Sequence, residues 1–125
     1  MGNIIAIALG GSVGALMRFG VSTGMANLFG RGFPYGTMVA NVLGCLMMGI
    51  LYVVMLERMA VAPEWRAAIQ TGMLGAFTTF STFGYETVAL IDNREFLYAM
   101  WNVVGNLMLG LVAVWLGRLA VRAFG

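Results

Sequence analysis

Apolar residues run through this chain in four long stretches, set apart by three short polar segments. The stretches cover about residues 4–29, 37–56, 64–91 and 96–119. Each is long enough for the roughly 20 residues a helix needs to cross a bilayer core. In hydrocarbon every backbone polar group must find its partner inside the protein, so apolar stretches of this length are predicted to be helices. The segments between them read as turns. "GRGFPYG" carries Gly32, Pro34 and Gly36, whose backbone preferences suit a hinge. "ERMAVAPEWR" supplies Pro63 and Glu64, fitted to the first turn of a new helix, where a missing N–H costs nothing and a carboxylate meets the dipole. In "DNRE", Asp92 is the expected N-cap of the last helix, with Glu95 three residues on as in a capping box. The expected fold is all-α: a single four-helix membrane domain over residues 1–125 with no room for a soluble domain.

Composition agrees with that pattern. The chain is 61% hydrophobic and 10% charged, with mean hydropathy +0.90, whereas soluble domains carry about 25% charged residues. Histidine is absent, which removes the commonest metal ligand and neutral-pH proton shuttle. The lone Cys45 sits in an apolar run and is expected as a small buried hydrophobe; it allows no disulfide within the chain. No nucleophile and base stand paired, so the chain does not read as an enzyme. The net charge of +2 comes from scattered arginines, which form no stripe for nucleic acid. The start "MGNIIA" lacks a positive leader region, so the first stretch is expected to be a retained span.

Four spans put both termini on one side. Arg58, Arg66, Arg118 and Arg122 then fall on the terminal side, and Arg18, Arg31 and Arg94 on the other. So small a bias predicts insertion in either orientation, a dual topology. Small residues recur at four-residue spacing in Gly10 and Gly14, Gly20 and Gly24, and Ala40 and Gly44, which predicts close helix packing. Glycine is common in membrane helices and accounts for any one pair, but less readily for 18 glycines in so short a chain.

The third stretch contains "TGMLGAFTTFSTFGYET", residues 71–87, where hydroxyls and phenyl rings crowd an otherwise apolar helix. Phe80 and Phe83, three residues apart, are expected on one face, with Thr79, Ser81 and Thr82 on neighbouring faces. Ordinary packing accounts for the rings, and hydroxyls can bond back to helix carbonyls. Neither accounts for Gly72 and Gly75, which weaken the helix and predict a break over residues 75–78. A break at membrane depth frees carbonyls suited to a hard cation, while hydroxyls, ring edges and the Asn41 amide offer partial positive charge to an anion. Asn41 reads equally as interhelical glue. "TFGYE" echoes the potassium-filter loop, but Glu86 replaces its last glycine and the flanking pore helix is missing.

With "GGSVGALMR" in the first stretch, "GTMVANVLG" in the second and "GMLGAFTTFSTF" in the third, the chain resembles, over essentially its full length, the small bacterial fluoride channels of the CrcB, or Fluc, family. Ala76 and Gly84 stand where many members carry glycine and serine. The resemblance implies an antiparallel, dual-topology homodimer in the bacterial cytoplasmic membrane, with two fluoride pathways and one structural Na+. By resemblance, the carbonyls of Gly75 and Thr78 from both subunits hold the sodium. Phe80 and Phe83 turn ring edges to fluoride, Asn41 donates its amide, and Ser81, Thr79 and Thr82 form a polar track. Arg18, Glu86 and Asn102 are polar groups within or near spans: Arg18 is expected to snorkel to the interface or pair with Glu86, and Asn102 to line a vestibule or bond between helices. Asn106 lies one turn from Asn102 on the same face. A small dual-topology multidrug or cation exporter needs a carboxylate in its first helix, and this stretch has none. A non-conducting helper subunit needs no ion path.

Overall fold

The computed structural model describes residues 2–124. Its helices are α1 (Gly2–Phe29), α2 (Tyr35–Arg58), α3 (residues 63–77), α4 (Phe80–Asp92) and α5 (Phe96–Phe124), with no strand among the described residues. Three of them, α1, α2 and α5, are long and apolar enough to cross a membrane unaided. The remaining stretch is divided into α3 and α4 at Thr78 and Thr79.

The ends follow from local chemistry. Gly30 closes α1 with φ +81 and bonds its N–H to the Ala26 carbonyl at 2.9 Å. Pro63 opens α3 at its first turn, as expected. The "DNRE" turn departs from the expected capping box. Asp92 is the last residue of α4, and Arg94 takes a left-handed φ of 60. Its N–H bonds Ile91 at 2.9 Å and that of Glu95 bonds Leu90 at 2.8 Å, a Schellman-type stop. The free carbonyls at the end of α4 therefore shaped this turn more than the donors at the start of α5, whose N-cap Glu95 makes no side-chain cap bond.

Small residues set the packing. On the α1–α3 seam, a Cβ at Gly10 or Gly14 would collide with the carbonyl of Ala68 or Met73, and one at Gly72 would lie 2.7 Å from the Ile7 oxygen. Gly49 and Gly117 give the same close approach between α2 and α5. Such contact supplies the dispersion energy that lipid-solvated helices lack from the hydrophobic effect. Gly20 and Gly24 differ: nothing within 4 Å would meet their Cβ atoms among the described residues. Gly72 is thus a packing residue on a continuous helix. Residues Ala67–Leu74 are π-helical, as are Val54–Arg58 and Gly105–Leu109.

Buried side chains such as Ala40, Val53, Leu74 and Phe77 lie where α2 and α3 meet their neighbours, whereas Leu16, Phe19, Trp65 and Leu111 are exposed, as a lipid-facing surface requires. Phe33 meets Tyr98 edge-on at 5.6 Å and Tyr35 at 4.9 Å, an aromatic cluster suited to one membrane interface. At the opposite end Arg122 pairs with Glu57 at 2.7 Å, and Arg58 donates to the Val121 carbonyl.

Candidate functional site

The break begins one turn later than the glycines predict. Gly75 is helical, with φ -61 and ψ -39, and the chain becomes extended only at Thr78 and Thr79. Thr78 ends the helix by spending both its donors on one acceptor: its N–H and its hydroxyl reach the Leu74 carbonyl at 3.1 and 3.2 Å. Thr79 then starts α4 as an N-cap, its hydroxyl oxygen accepting the Thr82 N–H at 3.2 Å. A short hydroxyl residue before "FSTF" is a legible capping signal, and it places the start of α4 better than the glycines place the end of α3.

Extended backbone turns the N–H and C=O of one residue the same way, as in a strand, and Asn41 on α2 meets both. Its Oδ1 accepts the Thr79 N–H at 2.7 Å, and its Nδ2 donates to the Thr79 carbonyl at 3.1 Å. A side-chain amide here takes the place of a neighbouring strand. The second Nδ2 proton goes to Oδ1 of Asn106 on α5 at 2.8 Å. Asn41, expected to serve a bound anion or to act as interhelical glue, here ties the break to α2 and α5.

Arg18 is the other seal. The sequence favoured snorkelling, yet its Nε donates to the Ala76 carbonyl, 58 residues away, at 3.1 Å. The reason is local: helix carbonyls freed at the end of α3 attract a cation more strongly than a distant interface. The alternative pairing with Glu86 is not formed, since the single ion pair among the described residues joins Arg122 and Glu57. Glu86 instead borders a cavity of about 470 Å³ beside Thr37, Arg31 and Glu95, its Oε1 buried without a partner.

After these seals, some groups stay free. The Thr78 carbonyl accepts no hydrogen bond among the described residues, and the Gly75 carbonyl has lost its helical donor, because the Thr79 N–H has turned to Asn41. The Thr79 hydroxyl accepts from Thr82 and retains its proton, with Ser81 Oγ 3.5 Å away. A groove of about 220 Å³ opens here, edged by Asn41, Thr78, Thr79, Phe80, Phe83 and Asn106. No carboxylate lines it. The two rings lie 5.6 Å apart and tilted by 56°, but Phe83 is 8% exposed while Phe80 is 79% exposed. One ring is therefore part of this chain's interior and the other projects out of it.

Asn102 does not reach the groove. It is 0% exposed and donates to Thr87 on α4 at 2.8 Å, so of the two expected roles the structure shows the bond between helices. The groove-lining amide of α5 is Asn106, one turn on and inside the π-helical run. Its four-residue spacing from Asn102 and the placement of both in an apolar stretch were its only sequence signals.

Non-helical backbone at membrane depth, sealed by side chains from other helices and bordered by a polar groove, defines a multi-pass membrane protein built around a broken helix, the architecture that transport pathways use. The chain belongs to the CrcB family: residues 5–118 match the family described as "CrcB-like protein, Camphor Resistance (CrcB)". It is 50% identical over 120 residues to a "Fluoride-specific ion channel FluC" of Methylococcus capsulatus, covering 96% of this chain but only 53% of that protein, about half its length. Two relatives of matching length carry the same name. The one from Shewanella amazonensis is 46% identical over 118 residues, 94% of each chain. The one from Chloroflexus aurantiacus is 44% identical over 125 residues, 100% of this chain and 99% of that one.

Proposed function

We propose that this chain is a fluoride-selective channel that lets F⁻ leave the cytoplasm passively through the bacterial inner membrane. The observation that carries the reading is the groove at the break: it is edged by hydroxyl protons and phenyl rings and has no carboxylate, in a chain whose relatives are named for fluoride. Fluoride is small and tightly hydrated, so a dry path must replace its water with donors yet release it again. Thr79 edges the groove with its hydroxyl beside that of Ser81; with Thr82 these are the donors of the proposed path, which the positive edges of Phe80 and Phe83 continue. Asn41 supports the path by keeping it open in shape. Hydrogen fluoride enters neutral and dissociates inside, and the negative interior drives the anion out.

The working unit is an antiparallel homodimer in dual topology. Two features favour it: Phe80 projects from the chain beside an open groove, and a second copy would both cover the ring and close the path. With Arg18 drawn to the break, the flanking arginines are Arg58, Arg66, Arg118 and Arg122 against Arg31 and Arg94, still a weak bias for one orientation. A structural Na+ would be held between the copies by the Gly75 and Thr78 carbonyls of each, which are among the carbonyls left without a donor at the break. Bound there, the ion supplies a fixed positive charge that offsets the carbonyl dipoles.

Purified protein in liposomes tests the reading. Fluoride efflux well above that of empty vesicles, with little chloride efflux, is expected, and vesicles no leakier than empty ones would refute it. Phe80→Ile is expected to lower fluoride efflux, because it removes a positive ring edge from the groove, while the dimer stays assembled by cross-linking.

A further inference from the structure

The hydrogen bonds around the break form one directed chain. The Thr79 N–H donates to Asn41 Oδ1 at 2.7 Å; Asn41 Nδ2 donates to Asn106 Oδ1 at 2.8 Å; and Asn106 Nδ2 donates to Asn102 Oδ1 at 3.0 Å. Asn102 Nδ2 then donates to Thr87 Oγ1 at 2.8 Å, and the Thr87 hydroxyl to the Phe83 carbonyl at 2.8 Å. The relay leaves α4 at its N-cap, crosses α2 and α5, and returns to α4 at one of the two ring residues. Each link turns the next amide one way: Thr79 needs an oxygen from Asn41 at its N–H, Asn41 then needs an oxygen from Asn106, and Asn106 needs one from Asn102. Thr87 fixes the far end, since its one proton is spent on Phe83 and it can only accept.

We propose that Asn102, remote from the groove, is a positioning residue: anchored by Thr87, it orients Asn106 and through it keeps Asn41 locked on the break. The inference rests on the fluoride-channel reading for its functional readout. Asn102 is fully buried and does not line the groove, and its side-chain amide joins Thr87 to Asn106. Without its Oδ1, Asn106 keeps one anchor, the Asn102 backbone carbonyl at 2.8 Å, so its amide is held by one bond instead of two and turns more readily. A turned Asn106 sets a donor against the Asn41 donor and loosens the pairing with Thr79. The Thr87 hydroxyl keeps its bond to the Phe83 carbonyl within α4.

Asn102→Leu keeps the branching and the number of heavy atoms and deletes both relay bonds. It is expected to lower fluoride efflux by roughly tenfold or more, the scale of one buried hydrogen bond left unmade, with the protein still dimeric on size exclusion. Asn102→Asp separates relay from packing. As the neutral acid it can accept from Asn106 and donate to Thr87, and ionised it cannot donate, so its efflux is expected to fall as pH rises while that of the wild type stays flat. Thr87→Val, isosteric at the next link, should reproduce the loss if Asn102→Leu fails to fold. Efflux at the wild-type level in both Asn102→Leu and Thr87→Val would overturn the proposal. A second readout does not depend on conduction: the Asn41 side-chain amide resonances of ¹⁵N-labelled protein are expected to shift in Asn102→Leu, and unshifted resonances would also overturn it. Wild-type protein that conducts no fluoride would sink the channel reading alone, leaving the relay to be judged by those resonances.

Discussion

The α1–α3 seam and the α3–α4 break lie within one stretch of chain, yet they meet the same problem in opposite ways. Along the seam the helical ladder is whole, and only size matters: Gly10, Gly14 and Gly72 let backbone meet backbone. At the break the ladder is cut, and size is useless without chemistry: Arg18 from α1 and Asn41 from α2 must supply the missing donors and acceptors. In hydrocarbon, a backbone that satisfies itself needs only close neighbours, and one that does not needs polar side chains from elsewhere in the fold.

Substitutions can sharpen that contrast. The largest effect is expected at the seam. Gly14→Leu drives a side chain into the Met73 carbonyl, which cannot yield without moving a helix, and should cost about 3 kcal/mol or more; the loss should show as aggregation or a lowered unfolding midpoint in detergent. Asn41→Leu comes next. It keeps the branching of the side chain but orphans the Thr79 N–H and C=O, a cost of about 2–5 kcal/mol, and fluoride efflux should fall with stability. If Asn41→Leu were as stable as wild type by thermal melting, the sealing role would be wrong.

Arg18→Leu separates stability from function. A charged side chain at the centre of a membrane helix costs about 2.5–3.5 kcal/mol, and its hydrogen bond to the Ala76 carbonyl returns about 1.5–3 kcal/mol. The two nearly cancel, so the melting midpoint should move little while efflux drops, because the break loses one of its two seals. The smallest change is expected far from both regions: Arg94→Gly relieves a left-handed residue and should raise stability by about 0.5–1 kcal/mol, read as a small upward shift in the same melts.

Much of the site was legible before the fold. A crowd of hydroxyls with nearby glycines pointed to a break in the third stretch, and the Phe80–Phe83 spacing to paired rings. The break was placed a turn early because glycine weakens a helix only in the absence of other forces. Gly72 and Gly75 stay helical where α1 packs tightly alongside, and the cut falls where Asn41 can complete an extended Thr79. Arg18 was read as snorkelling for the same reason: its acceptor is 58 residues away, and no local pattern reveals it. Asn106 and not Asn102 edges the groove because it stands one turn further along α5, level with Asn41 at the break, which a shared helical face could not distinguish.

By itself the sequence determined the solvent, the number of crossings and the chemistry at hand, since these follow from the length of apolar runs and the kinds of side chain within them. Only the tertiary structure decided which carbonyls stay free, which amides are already spent and where the helix gives way. Those depend on partners brought together from distant parts of the chain, and a hydrogen bond needs both ends in place.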